Sequence, residues 1–402
     1  MKGGALSRDA AERLVAPVAL SELSWSRAAE LFSRESGALD YAPEGEGGTD
    51  PRNGEPTLFN EKRAGRPHDY TAATGGGSRA SAVAACPICA GKTTPILDLA
   101  DLTEGFTFVN TNLYPVAAPG ASPRSASPPR RSPGFFGLHL LQWTSSLHEA
   151  DWPELSPADR LVVARRLAHA EAVLLGLEGF PAVAESDVSA AAHQRPEHPA
   201  GGPPRPGGPA GPQPIVPAGR HVSVIKNVGR SVGGSLSHGH QQMALTNVLP
   251  RRIAEDRAFR TREGRAFTGF MLEENPAELT ILELETGRLV VPYFMRRPFD
   301  MQYLLSDEKI EHLCELSTTQ LSDLATALAR GMELLRGVLE RLDVEVAYNV
   351  VFHTGTGGGL YLEFLPHTQA LGGFEQLGLS ACQSTPRTAA AELQEQFRNP
   401  GT

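Results

Sequence analysis

The chain repeats one order of segments, and this repeat limits the folds open to it more than any other feature. Between residues 107 and 250, strand-like runs lead to a helix, followed by the strand HVSVIKN, the glycine-rich stretch VGRSVGGS and another strand. Residues 279–366 contain a hairpin, a helix, the strand VAYNVVFHT, the glycine stretch GTGGG and the strand LYLEFLP. The sequence therefore predicts an α+β fold built from a duplicated unit, with antiparallel sheets and packed helices.

The helix of each copy carries clear start signals. Ser156 can cap the first helix with Pro157 at its first position, and Ser317 and Gln320 form a capping box at the start of the second. An apolar stripe then follows the second helix: Leu321, Leu324, Leu328, Met332, Leu335, Leu339 and Leu342. Both helices are expected to pack one face against a sheet.

Stretches rich in glycine and proline divide the chain. We predict a loose lead-in over residues 1–56, because YAPEGEGGTDPRNGEP has no apolar period. Residues 57–255 form the first half, interrupted by a Pro/Gly-rich insertion over about residues 181–219, and residues 256–402 form the second half.

Length and composition predict a folded protein of the cytoplasm. The 402 residues are 41% hydrophobic, which is enough for a sizeable core, and four cysteines do not make a disulfide framework. No signal peptide and no run of about 20 apolar residues is recognisable. The formal net charge of -9 argues against broad nucleic-acid binding but permits a local basic site for a phosphorylated small molecule. We expect neither nucleic acid nor membrane as a partner.

The stretch GGSLSHGHQQ, residues 233–242, carries the strongest chemical signal. In a strand, side chains two apart share a face, so His238, His240 and Gln242 would line one surface at spacings of about 6 to 7 Å. The small residues upstream let backbone N–H groups approach an anion, and Ser235 and Gln242 can donate to phosphoryl oxygens. The pattern favours a phosphate site with an attacking imidazole; solvated histidines on an edge strand are the alternative.

A cysteine pair and an arginine pair could complete such a site. Cys86 and Cys89 have the spacing of half a tetrahedral zinc site, although such pairs also serve structural or redox roles. Two further ligands are needed, and His148, in SSLHEADWPELS, and His238 are candidates. Arg63 and Arg66, in KRAGRP, could fork onto a diphosphate or form a solvated basic face.

Six segments in order resemble the galactose-1-phosphate uridylyltransferase family, the nucleotidyltransferase branch of the histidine-triad superfamily. They fall within residues 57–381 and are KRAGRP, CPIC, FVNTNLYP, SSLHEADWPELS, KNVGRSVGGSLSHGHQQ and VVPYFMRRPFD. The resemblance implies duplicated histidine-triad-like units, the second of them degenerate. It also implies that Cys86, Cys89, His148 and His238 hold a structural zinc ion, and that His238 thereby fixes the strand beside it.

The resemblance further implies a covalent mechanism at His240. Its imidazole would attack the α-phosphorus of a nucleotide sugar, expel sugar 1-phosphate, and hold the nucleotide until a hexose 1-phosphate accepts it, with ping-pong kinetics. Gln242 and Ser235 would contact the transferring phosphoryl group. The implied substrate-binding residues are Arg63, Arg66, Asn112, Asn227 and Gly233. A homodimer is expected by the same resemblance.

Departures from the family pattern leave alternatives open. Gly239 and Gln241 stand where the family commonly has proline and glycine, and SLSHGHQQM also resembles nucleoside-diphosphate-sugar phosphorylases of the ADP-glucose phosphorylase type, which use inorganic phosphate. Tyr361-Leu362-Glu363 replaces two histidines of an additional iron site found in some members, which speaks against a second metal, although His353 remains and Asp256 stands where a glutamate would be. A zinc-stabilised nucleotide-binding protein without turnover is the alternative from a different class.

Overall fold

The computed structural model describes residues 5–35, 45–50, 53, 55–65, 86–119, 135–181, 220–355 and 357–399. The α-helices of these ranges are α1 Arg8–Glu12, α2 Trp25–Arg34, α3 Pro157–Leu175, α4 Arg251–Glu263, α5 Phe267–Glu274, α6 Thr318–Arg341, α7 Gly373–Gln376 and α8 Pro386–Arg398. None of them is long and apolar enough to cross a membrane. Apart from its first residue, the predicted insertion over about residues 181–219 lies outside the described residues.

Ten strands form one antiparallel sheet, and a separate hairpin pairs β1 Gly47–Thr49 with β2 Pro56–Leu58. The strands of the large sheet are β3 Ile96–Asp101, β4 Phe106–Thr111, β5 Gly137–Trp143, β6 His221–Val228, β7 His240–Thr246, β8 Thr280–Glu283, β9 Gly287–Val290, β10 Met301–Leu305, β11 Tyr348–His353 and β12 Tyr361–Pro366. Their order is β3-β4-β5-β7-β6-β11-β12-β10-β9-β8. From its outer edge inward, the first half runs β3-β4-β5-β7-β6 and the second runs β8-β9-β10-β12-β11. The two halves place successive strands in the same arrangement, so the predicted duplicated α+β fold is confirmed.

The registers identify equivalent positions in the two halves. Gln242 of β7 pairs with Ile225 of β6, and Glu363 of β12 pairs with Val351 of β11. Ile225 and Val351 also pair with each other where the halves meet. Gln242 and Glu363 are therefore equivalent, and the pseudo-twofold axis passes between β6 and β11. The sheet is continuous across the two halves, and the boundary expected between residues 255 and 256 lies within α4.

The helices α3 and α6 cover one face of this sheet and enclose the main core. The hydroxyl of Ser156 accepts a hydrogen bond from the backbone of Asp159, and Ser317 and Gln320 form a reciprocal capping box, as predicted. The leucine stripe of α6 is buried except at its end, where Leu342 is 47% exposed. Alternation along β7 sends Met243 into this core and leaves its neighbours on the opposite face.

Residues 5–35 are folded, which differs from the loose lead-in predicted for residues 1–56. Ser7 and Ser24 cap α1 and α2 through their side chains. Leu20, Leu31 and Phe32 are buried in the main core. The loose lead-in was predicted from the glycine-rich stretch that follows these residues, and the short helices α1 and α2 were not predicted.

Candidate active site and metal centre

A pocket lies on the sheet face opposite the helices and opens between β4, β5, β7 and the loop before β7. The space between its lining residues, including solvent at its mouth, is about 780 Å³. The lining combines apolar and polar side chains, among them Ile88, Asn112, Leu141, Ser235 and Gln242, and it includes His240. Apolar walls with a few polar groups suit a nucleobase beside a phosphate chain.

The orientation of His240 is fixed by its surroundings. Its Nδ1 atom lies 2.9 Å from the backbone oxygen of His238. Because a carbonyl oxygen only accepts hydrogen bonds, Nδ1 carries a hydrogen, so Nε2 is the nitrogen with the lone pair when the ring is neutral. The ring packs against Trp143 with 4.8 Å between centroids and is 6% exposed. The contact thus selects Nε2 as the nitrogen that a neutral ring would use as a nucleophile.

Two polar side chains predicted from the sequence share this pocket. Gln242 follows His240 by two residues on the same face of β7, and Ser235 lies in the loop before it. The Gln242 amide has no hydrogen-bond partner among the residues that the structure describes. It is therefore available to a ligand.

A cluster of cysteine and histidine side chains lies beside the bend that precedes β7. One ligand atom from each of Cys86, Cys89, His148 and His238 lies within 4.8 Å of all the others. His238 Nδ1 faces the sulfur atoms of Cys86 and Cys89 at 3.7 and 3.6 Å, while its Nε2 donates to the backbone oxygen of Ser145 at 2.8 Å. Two thiols and two imidazoles converging in this way could bind a metal such as zinc.

His238 lies in the bend before the strand and not in the strand itself, although its ring packs against Trp143 as that of His240 does. β7 begins at His240. The bend turns His238 toward the cysteines and leaves His240 and Gln242 at the pocket. Strand alternation therefore applies to His240 and Gln242 and not to His238.

The glycine between the two histidines, Gly239, has a local structural reason. A Cβ atom at this position would lie 2.6 Å from Cγ of Asp151, closer than side-chain carbons approach in proteins. The backbone oxygen of Gly239 also accepts from the backbone N–H of Thr144 at 3.0 Å. The absence of a side chain lets the carboxylate of Asp151 lie against the catalytic loop.

Only some of the predicted substrate-binding residues lie at the pocket. Arg63 donates through Nη1 to the backbone oxygen of Tyr114 at 2.6 Å, and Tyr114 lines the pocket. Asn112 also lines it and accepts from the backbone N–H of Tyr114 at 2.8 Å. Asn227 accepts from the amide of Asn349 at 2.8 Å and is outside the pocket lining. Arg66 lies outside the described residues.

The glycine-rich loop connects β6 to the bend before β7. Gly233 adopts φ +86°, a left-handed conformation that favours glycine, at the end of a 3-10 turn over Arg230–Val232. A Cβ at Gly229 would lie 2.6 Å from Ala347, so the loop packs tightly on the second half at its start. These glycines set the path that carries Ser235 into the pocket.

Sequence reasoning missed the pocket wall formed by β4 and β5. Asn110 accepts from the indole of Trp143 at 2.9 Å and donates to the hydroxyl of Thr93 at 2.6 Å. Lys92 adds a cation to the same lining. The Asn110–Trp143 contact depends on pairing between β4 and β5, which is invisible along a single strand. Strand alternation at Asn110 was the available signal.

The second half holds a buried ionic cluster that includes a residue of β12, the strand equivalent to β7. Tyr361 and Glu363 of β12 correspond to His240 and Gln242. His353 Nδ1 lies 2.7 Å from Asp256 and Nε2 lies 2.9 Å from Glu363. Burial alone would lower the pKa of His353, but Glu363 and Asp256 raise it to about 9. Each nitrogen of His353 thus faces its own carboxylate, an arrangement suited to an imidazolium.

Comparisons with known proteins agree with this fold and site. No family model matches the chain. ADP-glucose phosphorylase of Arabidopsis thaliana is 26% identical over 166 residues, which cover 39% of this chain and 46% of that protein. Galactose-1-phosphate uridylyltransferase of Haemophilus influenzae is 27% identical over 192 residues, covering 43% of this chain and 54% of the relative. The aligned part thus spans about half the length of each curated relative.

Solved structures extend the likeness over most of the fold. A uridylyltransferase structure superimposes with a TM-score of 0.61 at 17% identity, covering 89% of this chain and 100% of the other. ADP-glucose phosphorylase of Arabidopsis thaliana with bound ADP-glucose has a TM-score of 0.56 at 20% identity, covering 87% of this chain and 98% of the other. The fold is that of the uridylyltransferase class. The homologues and structural neighbours are galactose-1-phosphate uridylyltransferase-like proteins and ADP-glucose phosphorylase, as the sequence resemblance indicated.

Proposed function

We propose that this protein is a nucleotidyltransferase that moves a nucleoside monophosphate from a nucleotide sugar to a hexose 1-phosphate through a covalent nucleotidyl-histidine at His240. The observation that carries the proposal is the Nδ1 contact of His240 with the carbonyl of His238, which makes Nε2 the nucleophilic nitrogen of the neutral ring in the wall of the pocket. An edge-strand histidine in solvent would need neither this orientation nor this burial.

The first step is an in-line displacement. Nε2 of His240 attacks the α-phosphorus, the N–P bond forms, and the bond to the sugar-phosphate oxygen breaks with its electron pair leaving on sugar 1-phosphate. The imidazole becomes positively charged, and the Nδ1 hydrogen bond to the carbonyl of His238 strengthens as that charge develops. In the second step a phosphate oxygen of the acceptor attacks phosphorus, and the N–P bond breaks to restore neutral His240.

Neighbouring polar groups suit the charge on the phosphoryl oxygens. The unpaired amide of Gln242 and the hydroxyl of Ser235 line the same pocket, and each can donate to an equatorial oxygen. Lys92 supplies a positive charge at the pocket for the phosphate chain. The apolar wall that includes Ile88 and Leu141 suits the nucleobase.

Cys86, Cys89, His148 and His238 fit a zinc ion by their chemistry and convergence. Four protein ligands close the coordination sphere, so such an ion would supply rigidity and take no part in bond making. It would hold His238, whose carbonyl orients His240. The metal is thus proposed to act on catalysis through position.

Inorganic phosphate is the second candidate acceptor. The ADP-glucose phosphorylase of Arabidopsis thaliana is similar to this chain in sequence and fold, and that protein's structure carries ADP-glucose. The same covalent intermediate at His240 would serve either acceptor, because both attack through a phosphate oxygen. Uridine and adenosine donors are therefore tested side by side.

A burst experiment tests the proposal. Without acceptor, wild-type protein mixed with UDP-glucose or ADP-glucose is expected to release one equivalent of glucose 1-phosphate per active site and then stop. His240→Ala should release none. Addition of galactose 1-phosphate or of inorganic phosphate then identifies the acceptor that restarts turnover. Folded, metal-loaded wild type that gives no burst with any nucleotide sugar would favour a binding protein without turnover.

A further inference from the structure

Lys226 is a buried cation beneath the catalytic strand. It lies on β6 on the face toward the helices, and its side chain is 1% exposed. Its Nζ atom donates to the backbone oxygen of His240 at 3.1 Å and lies 2.7 Å from Oδ2 of Asp151. A charged side chain at this depth is costly unless it is fully paired, so its retention calls for a reason.

Asp151, its partner, is anchored from the other side of the catalytic loop. Its Oδ1 accepts from the backbone N–H of Trp152 at 2.9 Å, and its backbone N–H donates to Glu154 in a capping box. Burial acts to raise the pKa of Asp151, but the charge of Lys226 and the hydrogen bonds outweigh it and lower the pKa. The carboxylate also abuts Gly239, the residue between the two histidines.

Buried amides continue this polar layer. Gln241 accepts from the indole of Trp152 at 3.1 Å and from the hydroxyl of Thr144 at 3.2 Å. Its own amide donates to Gln142 at 2.7 Å. Lys226, Asp151, Gln241 and Gln142 form what we term the support network. It holds the backbone of residues 239–241 from the side opposite the pocket.

The second half provides an internal comparison. Because Gln242 is equivalent to Glu363, the registers place Tyr303, Phe352 and Leu362 at the positions of Gln142, Lys226 and Gln241. These three residues are buried in the main apolar core. The same sheet positions therefore fold with a largely apolar layer where the strand begins with tyrosine and no nucleophile is presented. The support network is thus not a requirement of the sheet.

We infer that Lys226 and Asp151 are positioning residues for His240: the ammonium group holds the His240 carbonyl, and the carboxylate fixes the ammonium group and the loop at Gly239. Both groups act from behind the strand and touch no part of the pocket. Fixing the backbone on one side keeps the imidazole in contact with the His238 carbonyl on the other. This inference rests on the proposed function of His240.

Two matched double variants isolate the hydrogen bond to His240. Lys226→Met with Asp151→Asn removes both charges and the donor, whereas Lys226→Gln with Asp151→Asn removes both charges and keeps a donor. Each is compared with wild type in the single-turnover rate of sugar 1-phosphate release and in KM for the donor. Selective ¹⁵N-histidine NMR reports the hydrogen position on the His240 ring without any need for turnover. Arg166→Met, which removes an ion pair with Asp98 away from the pocket, is the control.

The methionine variant is expected to lose about 10- to 100-fold in rate with KM little changed, since a small misplacement of a reacting group costs this much. The glutamine variant should recover much of that loss. In the NMR spectrum, the His240 Nδ1–H signal should be retained with glutamine and weakened with methionine. Equal rates and unchanged His240 signals in both variants would overturn the inference.

Failure of the proposed function is distinguishable from failure of this inference. If wild type releases no sugar 1-phosphate, the proposed function fails, and the NMR comparison still decides whether Lys226 positions His240. If wild type reacts and both variants match it, only the positioning role fails. Should the methionine variant not fold, Asp151→Asn alone takes its place; an unchanged rate and His240 spectrum in that variant contradict the inference.

Discussion

The Nδ1 atom of His240 lies 2.9 Å from the backbone oxygen of His238, so one histidine of the pair orients the other through the main chain. The side chain of His238 belongs to the cysteine–histidine cluster, and its ring packs against Trp143 as the His240 ring does. The proposed metal ligand and the proposed nucleophile are thus two residues apart.

Removal of the Gln242 amide should slow chemistry more than it weakens binding. Gln242→Ala deletes a free donor in the pocket, and loss of one such donor costs about 10²- to 10³-fold in kcat in comparable sites. Steady-state kinetics with the donor measure it. Gln376→Ala, at an exposed position on α7, is the control and should behave as wild type. A change in KM alone would mean that Gln242 only binds the ground state.

Loss of a cysteine from the cluster should remove the metal. Cys86→Ser is expected to lower bound zinc from about one equivalent toward zero and to lower the unfolding temperature, because a four-ligand site contributes to folding. Elemental analysis and a thermal melt measure both effects. Cys314→Ser, at an exposed cysteine outside the cluster, should leave both unchanged. Full zinc occupancy in Cys86→Ser contradicts the site.

A single methyl group at position 239 should disturb the loop. Gly239→Ala places a Cβ 2.6 Å from Cγ of Asp151, so the carboxylate must move away from the loop. We expect the reaction to slow by about tenfold or more, as for other small misplacements in active sites, and the protein to remain folded. Gly373→Ala, whose Cβ would meet nothing within 4 Å, is the control. Wild-type kinetics in Gly239→Ala would show that the loop accommodates the added Cβ without moving the reacting groups.

The ionic cluster of the second half should make stability fall at alkaline pH. The native pKa of His353, about 9, lies above the ordinary value of 6.5, so the folded state holds a proton that the unfolded state releases. The contribution is complete below about pH 6.5 and is lost as the pH rises through about 9. The charged and titratable groups around His353 are Asp256, Glu363, Tyr361, Arg252, Arg296 and His221.

Urea unfolding between pH 6 and 10 measures this effect. His353→Gln should be less stable than wild type by about 3 kcal/mol at neutral pH, because Asp256 loses its cation and Glu363 keeps only Arg252 and Arg296 as cationic partners. The gap should narrow as the pH passes 9. His367→Gln, on the exposed surface after β12, serves as the control. A constant gap across the range would mean that His353 is not charged in the folded protein.

Short sequence patterns, such as helix caps and turns, correctly predicted the helices and the hairpin in which they occur. The capping residues Ser156 and Ser317 marked both long helices, and the hairpin predicted within residues 279–366 forms between β8 and β9. The helices of residues 5–35 were missed because their apolar contacts are made with distant parts of the chain. Exposure of Leu342 likewise follows from where the neighbouring elements end, which a stripe on one helix does not reveal.

In the candidate site, too, relationships within one segment were predicted and contacts between segments were not. Residues within one segment, such as His240 and Gln242, were predicted because strand spacing relates them directly. Trp143 and Lys226 were not, because their contacts with β7 come from pairing across β5, β6 and β7. Asp151 was not, because it reaches Lys226 from the loop before the 3-10 turn Trp152–Glu154. The homodimer, the cytoplasmic location and the role of Arg66 remain predictions.

Intact-protein mass spectrometry after brief mixing with a panel of nucleotide sugars tests the central claim most directly, with His240→Ala in parallel. The account predicts an added mass of one nucleoside monophosphate on wild type, absent from His240→Ala, and the size of the adduct identifies the base. An adduct of equal yield on His240→Ala, or no adduct on folded, zinc-loaded wild type with any donor, would contradict it.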